Sequence, residues 1–176
     1  VNQLVNIISK QNIALDASDT GTGKTYCTMV LCKILKLNPF IVCPRSVINN
    51  WIEVANLFEV KILGISNYEL IKSEKYYEHM TLKGKLKKTS CPYIKVYVID
   101  EVKKYTVTFP NDTIVIFDEA HKCKNHKTIN SKLLFAVMQM SDIKTLLLSA
   151  TITDKIDCFK PFGYSFGFYK NLSGYT

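Results

Sequence analysis

The chain has 176 residues, 47% of them hydrophobic and 22% charged, enough to build one ordinary globular core. That balance excludes a disordered tail, a collagen-like repeat and a miniature disulfide scaffold. The net charge of +8 comes almost wholly from lysine, Arg45 being the sole arginine, so both a polyanionic partner and a merely solubilising surface are compatible with it.

Asn12 to Ala17 (NIALDA) reads as a short buried strand. From Lys24 to Leu37 apolar residues lie on nearly every face, as in a helix packed on both sides, and Asn38-Pro39 is expected to end it. Phe40 to Cys43 (FIVC) is a second strand; Pro44-Arg45-Ser46 opens a helix through Phe58 with Ser46 as its cap, and Lys61 to Ser66 (KILGIS) is a third strand. Lys83, Lys85, Lys87 and Lys88, set among Gly84, Ser90 and Pro92, predict an exposed loop. Two β-rich runs follow, Tyr93 to Ile99 and Thr106 to Phe109. Pro110-Asn111-Asp112 then turns the chain into Thr113 to Phe117 (TIVIF), which has the continuous apolar character of a central strand. Ile129, Leu133, Leu134, Val137 and Met140 fall at helical spacing, and Thr145 to Leu148 gives one more buried strand. Short apolar strands alternating with helices predict an α/β fold, a mostly parallel central sheet covered on both faces and joined by right-handed crossovers.

The cysteines, Cys27, Cys32, Cys43, Cys91, Cys123 and Cys158, form no C-x-x-C pair and sit mostly in apolar runs, which suits reduced thiols of an intracellular protein. No apolar run reaches the roughly 18 to 20 residues of a membrane helix and no signal-peptide layout opens the chain, so no membrane partner is expected. Val1 in place of methionine reads as a piece of a longer protein.

Ser18, Asp19, Thr20, Gly21, Thr22, Gly23, Lys24 and Thr25 spell S-D-T-G-T-G-K-T between a strand and a helix, the context a phosphate-binding loop requires. Gly21 and Gly23 permit backbone angles closed to other residues and bring amide N–H groups toward phosphate oxygens, and the helix N-terminus adds its positive dipole end. Lys24 is placed to reach the β and γ phosphates, and the Thr25 hydroxyl to ligate a bridging magnesium ion. The usual glycine at the first position is Ser18 here. Asp118 and Glu119 end a buried strand, where ligands sit in open parallel sheets. Asp118 would hold magnesium, through water, and Glu119 would orient and deprotonate an attacking water. His121, Cys123 and His126 do not make a zinc site, since no second ligand pair exists to close a tetrahedron, and His79 stands alone.

Ser18 to Thr25, Asp118-Glu119-Ala120-His121 and Ser149-Ala150-Thr151, in this order, resemble motifs I, II and III of superfamily 2 helicases. More narrowly, IVCPRSVINNW (Ile41 to Trp51), Ile65 to Glu69 and the D-E-A-H-x-x-K-N run from Asp118 to Asn125 are similar to SWI/SNF-type ATPases, although many of those carry G-T where this chain has Ala150-Thr151. The lysine-, asparagine- and isoleucine-rich composition and the F-G-Y-S-F-G-F-Y tail resemble helicases of large DNA viruses. The resemblance implies that residues 1–176 are the first, ATP-binding RecA-like domain of a P-loop protein in three layers, with a second RecA-like domain outside the chain. It implies ATP and magnesium as cofactors, Lys24 and Glu119 as catalytic residues, and nucleic acid, DNA ahead of RNA, as partner. Pro44, Arg45 and Ser46 match motif Ia and Asn67 and Tyr68 the Ib region, which in the family face the nucleic-acid backbone. Ser149, Ala150 and Thr151, with His121, match the positions that couple nucleotide state to nucleic-acid grip, and Gln3 the upstream glutamine that reads adenine.

Nothing after Thr151 resembles motifs IV to VI, which hold the family's arginine finger, so the chain by itself is expected to bind ATP and hydrolyse it slowly. Two other functions fit a phosphate loop: a P-loop phosphotransferase, which would need a lid arginine, and a nucleotide-gated binding module without turnover.

Overall fold

The computed structural model describes residues 1–80, 86–99, 101–152, 156–168 and 170. Helix α1 (Asn2–Lys10) precedes β1 (Ile13–Asp16), and α2 (Lys24–Leu35) leads to β2 (Asn38–Cys43). A 3₁₀ turn and α3 (Ile48–Leu57) connect to β3 (Gly64–Asn67), α4 (Tyr68–Ile71), β4 (Lys75–Met80), β5 (Leu86–Ser90), β6 (Ile94–Ile99), β7 (Val102–Val107) and β8 (Thr113–Asp118). The last elements are α5 (Ile129–Met138), β9 (Lys144–Leu148) and α6 (Lys160–Ser165), with 3₁₀ turns before α5 and α6.

Seven strands form one sheet in the order β1-β9-β8-β2-β3-β4-β5; the pairings from β1 to β3 are parallel, and β4 and β5 add an antiparallel margin. Side chains alternate across this sheet. Phe40, Val42, Val115, Phe117 and Leu147 point into one core with Leu133, Leu134 and Val137 of α5 and Phe162 of α6. Ile41, Cys43, Ile114, Ile116, Leu146 and Leu148 point into the other, with Ile8 of α1, Met29 and Leu31 of α2, and Trp51 of α3. Helices therefore cover both faces, the three-layer arrangement expected from the sequence, with β8 buried in the middle of the five parallel strands.

Several local boundaries differ from expectation. Helix α2 stops at Leu35 because Lys36 turns left-handed (φ 54°) and closes it, so Asn38 and Pro39 open β2 instead of ending a helix. Proline is tolerated at the start of that strand, where its carbonyl still accepts from Leu63 N at 2.9 Å. Ser46 is no cap: it lies inside a 3₁₀ turn (Arg45–Val47), and α3 begins after Val47 with no side-chain cap bond. The third strand starts at Gly64, not Lys61, and continues to Asn67. Lys87 and Lys88, expected in a loop, stand exposed on β5, while Lys83, Gly84 and Lys85 lie outside the described residues. The run Tyr93 to Ile99 becomes β6, which pairs antiparallel with β7 in a sheet of its own beside α5; of the expected run Thr106 to Phe109 only Thr106 and Val107 belong to β7, which starts earlier, at Val102.

Candidate functional site

Strand register brings the sequence motifs together. Asp16 of β1 pairs with Leu148 of β9, and Leu148 pairs with Asp118 of β8, so these three parallel strands end level. The phosphate loop, Ser149 and Glu119 follow directly on them. On the other side of β8, Val42 of β2 pairs with Phe117, and Cys43 pairs with Asn67 of β3, so the segments after β2 and β3 leave at the same carboxyl edge.

In the phosphate loop, the Asp16 carboxylate accepts from Ser18 N at 3.0 Å and from Ser18 Oγ at 2.5 Å, anchoring the entry. The Thr22 hydroxyl donates to the Asp19 carbonyl at 2.7 Å and braces the middle. Gly21 and Gly23 have φ of +80° and +84°, a left-handed conformation that a side chain would strain, and a Cβ on either would meet nothing within 4 Å. The glycines thus serve the backbone path and leave the space over the loop open. Lys24 Nζ donates to the carbonyls of Ser18 (2.7 Å) and Asp19 (2.8 Å), which holds the ammonium over the loop. Thr25 follows in the first turn of α2. Beside Ser18 lies a cavity of about 300 Å³ bounded by Gln3, Ile7, Leu15 and Cys27, which places Gln3 next to the loop.

At the end of β8, burial pushes the Asp118 carboxyl above the usual carboxylate range. The Trp51 indole N–H opposes this by donating to Asp118 Oδ2 at 2.9 Å, the Glu119 charge raises it further, and the Glu119 backbone N–H, which donates to Oδ1 at 3.0 Å, and the Lys24 charge lower it. Glu119 itself adopts a left-handed φ of 55°, an uncommon conformation outside glycine. Its carboxylate lies 3.1 Å from His121 Nδ1, the same nitrogen is 3.2 Å from Ser149 Oγ, and Ser149 Oγ donates to the Thr151 carbonyl at 2.8 Å. A carboxylate–imidazole–hydroxyl chain therefore links the ends of β8 and β9. Ser149 is buried, Ala150 half-buried and Thr151 exposed. The donor set fits the cofactors expected from the sequence: open backbone N–H groups and an ammonium suit a polyphosphate, and the Thr25 hydroxyl with the Asp118 carboxylate are hard oxygen donors of the kind magnesium takes.

A second depression, about 470 Å³, is lined by Pro44, Arg45, Asn67, Tyr68, Glu69, Lys122 and Asn130; Arg45 and Lys122 outnumber Glu69, whose carboxylate is paired with Lys72 at 2.8 Å. Four of the five residues expected to face nucleic acid meet here; Ser46 is not among the lining residues. Tyr68 differs from expectation in its role, because it is only 4% exposed and its hydroxyl donates to the Asp118 carbonyl at 2.8 Å. It is a strut between the cleft wall and the carboxylate strand. Asn67 Oδ1 is likewise engaged, accepting from the backbone of Glu69 and Leu70 to cap α4. Sequence reasoning missed Asp16, Trp51 and Asn130. The signal for Trp51 was its place at the end of IVCPRSVINNW, eight residues beyond the strand end at Cys43, and spacing alone does not say which way an indole points.

Residues 2–159 match the model of the family described as DEAD/DEAH box helicase. The chain belongs to this family. It is 39% identical over 167 residues to "Putative ATP-dependent RNA helicase L364" of Acanthamoeba polyphaga mimivirus, covering 91% of this chain and 30% of that protein. It is 27% identical over 143 residues to the ISWI chromatin-remodeling complex ATPase ISW1 of Saccharomyces cerevisiae, covering 76% of this chain and 12% of that one. The chain thus spans about a third or less of these DEAD/DEAH box relatives. Its fold is similar to the Sulfolobus solfataricus SWI2/SNF2 ATPase core solved with dsDNA, at a TM-score of 0.55 and 19% identity over 98% of this chain and 36% of that chain. This agrees with the RecA-like architecture of a superfamily 2 helicase domain.

Proposed function

We propose that this chain is the ATP-binding RecA-like domain of a nucleic-acid-dependent ATPase that works as a translocase or helicase on DNA, closing against a second RecA-like domain outside residues 1–176. The observation that carries this is the level ending of β1, β9 and β8, which sets the phosphate loop, Ser149 and Glu119 side by side, with Tyr68 tying Asp118 to the basic cleft.

Backbone N–H groups around Gly21 and Gly23 and the Lys24 ammonium hold the phosphates of ATP. Thr25 and Asp118 would hold magnesium, which when bound neutralises charge between the β and γ phosphates. Glu119 orients the attacking water and takes its proton, and His121 fixes the Glu119 carboxylate through the 3.1 Å contact. Because His121 also meets Ser149, a shift at the γ-phosphate is passed to Ser149, Ala150 and Thr151. Pro44, Arg45 and Asn67, with Lys122, hold the nucleic-acid backbone in the cleft without reading its sequence. DNA is favoured by the likeness of the D-E-A-H-x-x-K-N run to SWI/SNF-type ATPases, one of which was solved with dsDNA, although the mimivirus relative is named for RNA.

The test is ATPase activity of the natural protein with duplex DNA, single-stranded DNA or RNA added, wild type beside Glu119→Gln. DNA stimulation that disappears in Glu119→Gln, by about 10²- to 10⁴-fold with ATP binding retained, supports the proposal. Stimulation by RNA alone overturns the DNA assignment, and turnover indifferent to every nucleic acid overturns the motor.

A further inference from the structure

A second basic depression lies away from the nucleotide edge and outside the helicase motifs. It holds about 380 Å³ between the β6–β7 hairpin and helices α5 and α6, and among its walls are Tyr97, Lys103, Lys104, Lys132, Phe135 and Tyr164. No carboxylate lines it, and none of the three lysines is ion-paired among the described residues. The hairpin register explains how one edge strand supplies so much charge. Lys104 stands opposite Tyr97 and Lys103 opposite Val98, so the two lysines leave β7 on opposite faces and straddle its edge. Tyr97 and Tyr164 remain 40% and 36% exposed, unusual for large rings with no covering element, and Tyr164 is held edge-on by Phe135 at 5.6 Å.

We propose that this groove binds a single-stranded nucleic-acid segment, with the lysines on its phosphates and Tyr97 and Tyr164 as stacking platforms. Cationic side chains interleaved with exposed aromatic faces are the chemistry that grips single strands without sequence preference; a duplex, its bases already stacked, would use the lysines and leave the rings idle. Helix α5 contributes to both depressions, Asn130 in its first turn to the basic cleft and Lys132 and Phe135 to this groove; Asn130 and Lys132, two residues apart, leave different sides of the helix, so the two are separate surfaces. The inference rests on the nucleic-acid reading above and adds a second contact to it.

The measurement is anisotropy of a labelled oligo-dT with the natural protein over a salt series, for wild type, a Lys103→Gln/Lys104→Gln/Lys132→Gln variant, Tyr97→Ala, and Arg45→Ala in the cleft. For the triple variant, the slope of log K against log salt is expected to fall by about 2, at roughly 0.7 per lost phosphate contact. Tyr97→Ala should weaken binding about 5- to 10-fold with the slope unchanged. ATP affinity stays at the wild-type value in both. Unchanged slope and affinity, with Arg45→Ala still weakening binding, overturn the groove alone. A slope change seen only with duplex DNA overturns its single-strand assignment, and wild type that neither binds nor responds to any nucleic acid overturns the parent proposal as well.

Discussion

The carboxyl edge of the parallel strands and the antiparallel strands, β4 and β5 at the sheet's margin and β6 and β7 in their own sheet, are organised by opposite rules. In the parallel part the inner strands β2, β8 and β9 are buried on both faces, so each end is rigidly placed and the residue that follows the apolar run emerges at a fixed point: Asp118 after Phe117, Ser149 after Leu148, Pro44 after Cys43. In the β6–β7 hairpin Lys95 and Tyr97 look to solvent on one face, and toward the end of β6 Val98 is exposed on the other, with no second layer to fix them. Chemistry that needs atoms held to within a fraction of an ångström sits where burial is two-sided, whereas a surface that meets a flexible polymer can be one-sided.

The comparison breaks most sharply on stability. Phe117→Ala, at a fully buried position of β8, should cost about 3–5 kcal/mol in chemical denaturation. Val98→Ala, 60% exposed on the hairpin, should stay within about 0.5 kcal/mol. Equal losses would mean the hairpin is part of the cooperative core. Gly64→Ala probes the seam between the two regions: a Cβ there would stand 2.6 Å from the Tyr76 ring and 2.8 Å from Phe40, two stacked and buried rings that cannot both withdraw. Overpacking of that kind costs about 1–3 kcal/mol, and an unchanged melting temperature would show that β4 yields freely. Trp51→Phe sharpens the description of the edge. Removing the donor to Asp118 Oδ2 should raise the magnesium concentration needed for half-maximal nucleotide binding about tenfold while saturating turnover holds; a fall in turnover alone would deny the indole a positioning role.

The smallest effect is a labelling pattern. Burial pushes the Cys32 and Cys123 thiols up to about 12 and Cys43 and Cys91 upward as well, so an alkylating reagent at pH 8 should modify Cys27 and Cys158 in the folded protein and spare those four until denaturation. Nucleotide should slow the reaction at Cys27, which lines the cavity beside Ser18, and leave Cys158 unaffected. Mass spectrometry of the alkylated peptides reads both, and early labelling of Cys43 would show that the carboxyl edge opens.

The sequence by itself determined the α/β class and the order of the parallel strands with α2, α3 and α5, and it marked the glycine-lysine turn and the Asp118-Glu119 pair as a candidate site, because continuous apolar runs and such a turn are local signals; it gave no sign of α1, α4 or α6. It also named most of the cleft. It could not determine that β4 and β5 extend the main sheet or that β6 and β7 form a separate hairpin, since exposed antiparallel strands carry no continuous apolar run and Lys87 and Lys88 read as loop. Nor could it turn the Tyr68 hydroxyl and the Trp51 indole onto Asp118, 50 and 67 residues away in the chain. Those bonds exist only because parallel pairing sets β2, β3 and β8 side by side, and pairing between distant segments is a property of the whole sheet that no local stretch of residues contains.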